Sequence, residues 1–226
     1  MRTVGHTNVA GVSEQRDSGA PGEFLADAQN PALTSAEMAR MADPDKPDRL
    51  AWNTFRTLAL WETDIWVPRV LDVGLGAPNP LTDREWSGAS VQPWATGLEL
   101  DRGTDVLLDG PEALVIAVAY VDAVPPSGEV RGAMAKVVSD ASLGGRQPGF
   151  LAVVPTRDDE TQLQSVLEQA ASGEELDALT DAVGWVTWRE LGELALDLAE
   201  EADPLRDDQV HLLVTELQRL FPDIDL

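Results

Sequence analysis

The segment Ala113–Tyr120 constrains the fold more than any other part of the chain, because its sequence is the unbroken apolar run ALVIAVAY. A short run of this kind is typical of a strand that is buried on both faces of a sheet. It follows Gly110-Pro111-Glu112, which predicts a tight turn, and precedes a loop marked by Pro125, Pro126 and Gly128. We therefore expect a central strand in an α/β sheet.

The flanking segments alternate between the strand and the helix periodicity. Further strands are predicted at residues 104–109, 150–154 and 183–187, with mixed strand character at residues 91–100. Helices with one apolar face are predicted at residues 48–59, 129–141, from 159 to 170, around 191–198 and at 210–220. This order is typical of a single α/β domain.

The N-terminal part has a different composition. Residues 1–30 are rich in Gly, Ser, Asn and Asp without apolar periodicity, which predicts a mobile tail. A first helix is predicted at residues 34–41, where Thr34 and Glu37 have the spacing of a capping box. We assign residues 31–226 to one domain. Within the apolar segment 61–73, Pro68 is expected to break or kink the helix.

Several classes of protein are excluded by composition. The chain of 226 residues has no cysteine, so it has neither a disulfide scaffold nor a thiolate zinc site nor a cysteine nucleophile. No window approaches the roughly 18 apolar residues of a membrane span, and the N-terminus lacks the apolar region of a secretory signal. We expect a cytoplasmic protein that does not enter a membrane.

The charge of the chain is strongly negative, at −24 from 40 acidic and 16 basic residues. Such a charge favours solubility and repels nucleic acid at long range. Three interpretations stay open: an acidic solvated surface, a mimic of DNA, and a DNA-binding protein whose basic groups are concentrated on one face.

The strand pair around residue 110 carries a resemblance to a known superfamily. Thr104-Asp105 begins one strand, VIAVAY ends the next, a long helix precedes them, and helix, strand and helix follow. The C-terminal GWVTWRELGELALDL adds to the similarity. Over roughly residues 48–221 the chain resembles the PD-(D/E)XK nucleases, including bacterial proteins of restriction and phage defence. The resemblance implies a restriction-endonuclease-like α/β fold, a mixed sheet flanked by helices with further helices at the C-terminus.

The resemblance also assigns roles to three positions. The family motif is an Asp on one strand and Glu-x-Lys on the next, so Asp105 matches the Asp, whereas Ala117 and Ala119 stand at the Glu and Lys positions. Residues i and i+2 of a strand point to one face, and we expect all three positions to share a pocket. In an active form the two carboxylates hold Mg²⁺, and the metal and the lysine activate the attacking water.

The resemblance implies a Mg²⁺-dependent DNA nuclease-type protein, and the two alanines imply that it is inactive as written. Three origins for Ala117 and Ala119 stay open: natural loss of catalysis, replacement by engineering, and ordinary small core residues of an unrelated sheet. If catalysis was removed by engineering, Ala117→Glu with Ala119→Lys is expected to give metal-dependent cleavage.

Other charged residues are candidates through the same resemblance. Glu62 stands where family members place a further metal-binding acid, with solvation of a helix end as the alternative. Lys136 or Arg131 could supply the missing positive charge, with a solvated helix face as the alternative. Arg131 and Arg146 are the candidate contacts to DNA.

A second function of a different class stays open. The charge and the missing Glu-x-Lys pair also fit a non-catalytic acidic subunit, or a DNA mimic, that binds a partner protein of a defence complex. The sequence does not determine the oligomeric state, and a homo-oligomer is one option.

Overall fold

The chain forms a mixed α/β structure, seen here in a computed structural model that describes residues 47–93, 103–120, 124–200 and 204–226. The helices are α1 (Pro47–Leu58), α2 (Thr63–Leu75), α3 (Ser127–Gly144), α4 (Glu160–Ala170), α5 (Trp188–Ala199) and α6 (Pro204–Leu220). The strands are β1 (Ser90–Pro93), β2 (Gly103–Asp109), β3 (Ala113–Tyr120), β4 (Gln147–Val154) and β5 (Val183–Thr187). A 3₁₀ helix, Glu174–Leu179, lies between α4 and β5.

The five strands form one sheet in the order β1-β2-β3-β4-β5. The pairs β1–β2 and β2–β3 are antiparallel, and the pairs β3–β4 and β4–β5 are parallel. Parallel neighbours require a long connection. Helix α3 makes it between β3 and β4, and α4 with the 3₁₀ helix makes it between β4 and β5.

Strand β3 is buried at every position, as its apolar sequence predicts. Its side chains alternate between two separate hydrophobic cores, because successive residues of a strand point to opposite faces. Ala113, Val115, Ala117 and Ala119 belong to the first core, which also contains side chains of α1, α2, α5 and α6. Leu114, Ile116, Val118 and Tyr120 belong to the second core, beneath α3, α4 and the 3₁₀ helix.

The approach of α2 to the sheet depends on a glycine pair. A Cβ atom on Gly184 of β5 would lie 2.0 Å from the carbonyl oxygen of Gly74 in α2. No side chain fits in that space, so the backbone of α2 rests directly on the edge strand.

The structure confirms the predicted mixed sheet with helices on its faces and at the C-terminus. Helix α2 continues through Pro68, so the expected break does not occur, and the alternative of a kink stays a prediction. Its neighbours Trp66, Val67, Val70 and Leu71 are buried, and their packing outweighs the lost hydrogen bond. The tail at 1–30, the helix at 34–41 and residues 94–100 of the first predicted strand lie outside the described residues.

In the described ranges, no helix is both long enough and apolar enough to cross a membrane.

Candidate functional site

Asp105 is a buried carboxylate near the beginning of β2, with 4% of its surface exposed. The antiparallel register places it directly opposite Val118 of β3. Residues that face each other in an antiparallel pair point to the same side of the sheet. Asp105 therefore lies on the side of the second core, beneath the layer that contains α3.

Ala117 and Ala119 lie on the other side of the sheet. Both are fully buried in the first core, together with Leu50, Phe55 and Leu58 of α1. Helix α1 packs on β2 and β3 at this place, and a small side chain allows that helix to approach the strand. The two alanines thus fill space between a helix and the sheet.

The expected common pocket of Asp105, Ala117 and Ala119 is not formed. The i, i+2 rule holds for the two alanines, but the face of Asp105 depends on the register between two strands, which the turn at 110–112 sets. Since Asp109 pairs with Leu114, each odd-numbered residue of β2 faces an even-numbered residue of β3. A one-residue change in register would reverse the face of Asp105.

These three positions do not fit Mg²⁺. A magnesium site in a protein is built from oxygen ligands that converge on one point, whereas two of the positions carry methyl groups in an apolar core and the carboxylate of Asp105 lies across the sheet. Among the described residues, no group of three or more His, Asp or Glu side chains is placed to hold a metal ion.

Glu62 is exposed at the residue preceding α2. It borders a cleft of about 340 Å³ with Arg56, Trp61 and the residues that lead into β1. Asp105 does not line this cleft. Glu62 is therefore placed at the β1 edge of the sheet, as expected for a solvated residue at a helix end.

Lys136 and Arg131 are both on α3, and both are engaged by other groups. Lys136 forms an ion pair with Asp140 one turn later. Arg131 forms an ion pair with Glu175 and donates hydrogen bonds to the carbonyl oxygens of Ala170, at 3.1 Å, and Ser172, at 2.8 Å. These hydrogen bonds provide partners for carbonyl groups at the C-terminal end of α4, where the helix itself offers no further N–H donors.

Arg146, the other candidate contact to DNA, follows α3 and forms an ion pair with Asp109 at the end of β2. The pair is only partly exposed, with 23% and 33% of the two side chains accessible. Arg146 thus ties the start of β4 to the β2–β3 turn and is not presented to solvent as an isolated positive charge.

Tyr120 is a buried polar residue whose side chain points into the second core. Its hydroxyl oxygen has no hydrogen-bond partner among the described residues. Burial, together with the negative charge of Glu129 nearby, raises the pKa of Tyr120 far above its usual range. The phenol therefore stays neutral and acts as a packing residue at the carboxyl end of β3.

A polar junction at the carboxyl ends of β4 and β5 was not predicted. The hydroxyl of Thr187 accepts a hydrogen bond from the backbone of Glu190, whose carboxylate accepts one from the backbone of Thr187, forming a capping box at the start of α5. Arg157, in the loop after β4, donates two hydrogen bonds to the other oxygen of Glu190, at 2.5 and 3.1 Å. The T-x-x-E spacing was visible in the sequence, but the Arg157 contact was not.

This junction borders a cleft of about 820 Å³. Arg157 and Arg189 line the cleft, but each is paired with a carboxylate, on Glu190 and Glu193. Phe221 also lines the cleft, and its ring stacks on that of Trp188 with the ring centroids 6.4 Å apart. The cleft therefore offers paired charges beside an apolar wall.

Comparisons of the chain with protein-family models, with curated proteins and with solved structures found no significant match in any of the three.

Proposed function

We propose that this chain is a non-catalytic protein with a restriction-endonuclease-like core that acts by binding a partner protein in a restriction or phage-defence system. In this proposal the nuclease-type architecture is kept as a scaffold and the cutting site is lost. The support comes from three separate features: the order of the elements, the side chains at the motif positions, and the pairing of the basic groups.

The order and pairing of the elements support the scaffold. A helix precedes three antiparallel strands, and α3 then leads to β4, which lies parallel to β3. A strand pair joined by a turn, between a long helix and a helix-strand-helix segment, is the pattern on which the resemblance to the PD-(D/E)XK nucleases rests. The inference is one of fold, which does not by itself imply an activity.

The motif positions support the loss of catalysis. Phosphodiester cleavage by this chemistry needs carboxylates and a positive charge gathered at one point. Here Ala117 and Ala119 pack against α1 and Asp105 points to the opposite core. Their burial in tightly packed surroundings fits a natural role as core residues.

The observation that carries the choice of a protein partner is the pairing of basic side chains with carboxylates. DNA binding requires arginines and lysines that are available to phosphates. Across the described residues, bases on several different elements instead form ion pairs: Arg49–Glu216, Arg69–Asp197, Arg131–Glu175, Lys136–Asp140, Arg146–Asp109, Arg157–Glu190 and Arg189–Glu193. With a net charge of −24, the surface attracts a basic protein and repels DNA.

The test combines a titration with labelled duplex DNA and the identification of a partner in the cells of origin. Binding to DNA would show as an affinity that falls steeply between about 50 and 200 mM salt, and we expect no such binding. We also expect no Mg²⁺-dependent cleavage. The crosslinked partner should have a basic contact surface. Tight, salt-sensitive DNA binding would overturn the proposal. So would a partner that binds through an acidic surface.

A further inference from the structure

We propose that the groove between α2 and α5 is the docking site for a basic amphipathic helix of the partner protein. This inference rests on the proposed function and adds the site and the kind of element that occupies it. The groove has a volume of about 240 Å³ and lies on the side of the first core. It is lined by Arg69, Val70, Val73, Val186, Glu190, Leu191, Glu193, Leu194 and Asp197.

The outer face of α2 exposes two branched aliphatic side chains, of which Val73 lines the groove. Ile65 and Val73 are 47% and 45% exposed, whereas most apolar side chains of α2 are buried. Together with Arg69, they are spaced four residues apart and so share one face of the helix. An apolar face of this kind gains free energy when another apolar surface covers it.

The floor of the groove is also apolar. Val70, Leu191 and Leu194 are buried in the first core but border the groove. A helix that lies in a groove of this kind places apolar residues at positions i, i+3, i+4 and i+7 against the floor. The groove therefore suits the apolar stripe of an amphipathic helix.

The rim on α5 is acidic. Glu190, Glu193 and Asp197 line the groove, and Arg69 is the one basic residue of its lining. Arg69 reaches across to a single oxygen of Asp197, at 2.9 Å, and Arg189 binds a single oxygen of Glu193. The second oxygen of each of these exposed carboxylates accepts no hydrogen bond from the described residues, and a carboxylate oxygen can accept a further donor.

The combination of apolar floor and acidic rim selects the occupant. A lysine or arginine at the edge of a docked helix can lay its aliphatic stem along Val73 and direct its charge to Asp197 or Glu193. The net charge of the whole chain, −24, attracts the same kind of helix from a distance. An acidic or a wholly apolar helix would lack this complementarity.

The experiment uses the full chain and a labelled synthetic peptide of about 18 residues, five turns of helix, made of leucine and lysine in an amphipathic pattern. Its binding is followed by fluorescence anisotropy. The apolar variant Ile65→Ser with Val73→Ser and the acidic variant Glu193→Gln with Asp197→Asn are each expected to weaken binding at least about tenfold. Urea unfolding establishes that each variant is folded.

Matched controls separate the groove from the general surface. Leu143→Ser with Leu212→Ser removes two other exposed leucines. Asp140→Asn with Glu175→Gln neutralises two carboxylates that are also paired with bases. One of these pairs lies within a helix and the other joins two elements. Both lie on the opposite side of the sheet from the groove. Both control variants are expected to bind the peptide within about twofold of the parent chain, since they leave the groove intact.

Three outcomes would overturn the groove assignment. Equal weakening by the groove and control variants would mean that total charge alone attracts the peptide. Unchanged binding by the groove variants would place the site elsewhere. A parent chain that sediments as a dimer, with monomeric groove variants, would show that a second copy covers the groove. Steep salt-dependent DNA binding would instead overturn the proposed function, whatever the peptide does.

Discussion

Asp105 of β2 lies directly opposite Val118 of β3, and this pairing puts its carboxylate on the other side of the sheet from Ala117 and Ala119. The separation is a property of the register and not of any single residue. A Glu at position 117 and a Lys at position 119 would therefore not meet Asp105 at one point. Asp105, Ala117 and Ala119 therefore do not form one site.

The first prediction concerns Ala117→Glu combined with Ala119→Lys. Both side chains would enter an apolar core, and the desolvation of two charges costs more than their mutual attraction returns. We expect a loss of about 3 kcal/mol or more of the free energy of unfolding and no Mg²⁺-dependent cleavage. Urea unfolding and plasmid cleavage measure the two effects.

The control for this pair is Ala135→Glu, on the exposed side of α3, which is expected to change stability by less than about 0.5 kcal/mol. Cleavage of DNA by the folded double variant, but not by the parent chain, would contradict the prediction.

The sequence predicted the central strand, the two-sided burial and the helical faces, because these follow from periodicity within one segment. The faces of Ala117 and Ala119 relative to each other also follow from one strand. The face of the sheet to which Asp105 points does not follow from one strand. It depends on the register between β2 and β3, which the length of the turn after Asp109 sets. The ion pairs of Arg131, Arg146 and Arg157 likewise join residues that are distant in the sequence, and no local pattern encodes such contacts.

The second prediction concerns Tyr120, the single tyrosine of the chain. Because the folded protein raises the pKa of its hydroxyl above the ordinary value of 10.0, the folded state keeps a proton that the unfolded state loses. Stability should therefore fall as the pH rises above about 10. Tyrosinate absorbance should stay absent at pH 10.5 and rise only with unfolding, at about the pH where circular dichroism reports loss of structure.

The variant Tyr120→Phe provides the control, since it contains no tyrosine and gives the spectroscopic blank. The hydroxyl of Tyr120 has no hydrogen-bond partner in the described residues. Its removal should therefore leave the free energy of unfolding unchanged or raise it by about 1 kcal/mol. A clear loss of stability would show that the hydroxyl makes a stabilising contact in the folded protein.

The third prediction concerns Gly184→Ala. The added methyl group would lie 2.0 Å from the carbonyl oxygen of Gly74 and 3.1 Å from the Cα atom of Leu75, and neither backbone atom can move without α2. We expect a loss of about 3 kcal/mol, measured by urea unfolding. The matched change is Gly132→Ala in α3, where the new Cβ would meet nothing within 4 Å apart from the helix's own backbone and the adjacent residues. It should stabilise the protein by about 0.5–1 kcal/mol. Equal effects would contradict the close approach of α2.

The fourth prediction concerns Glu216 of α6, which joins this helix to α1. Its carboxylate lies 3.5 Å from Arg49 and accepts a hydrogen bond from Asn53, and the two side chains of the ion pair are only 13% and 11% exposed. Glu216→Ala removes both contacts from a partly buried place, and we expect it to cost about 3 kcal/mol, as measured by urea unfolding.

An exposed ion pair gives the comparison for Glu216. Glu175, paired with Arg131, is 63% exposed, and Glu175→Ala should cost less than about 1 kcal/mol because solvent already screens the pair. The cost of Glu216→Ala should persist at high salt, since burial protects the Arg49 pair from screening. If both variants lost the same small free energy, α6 would be held to α1 by apolar contacts alone.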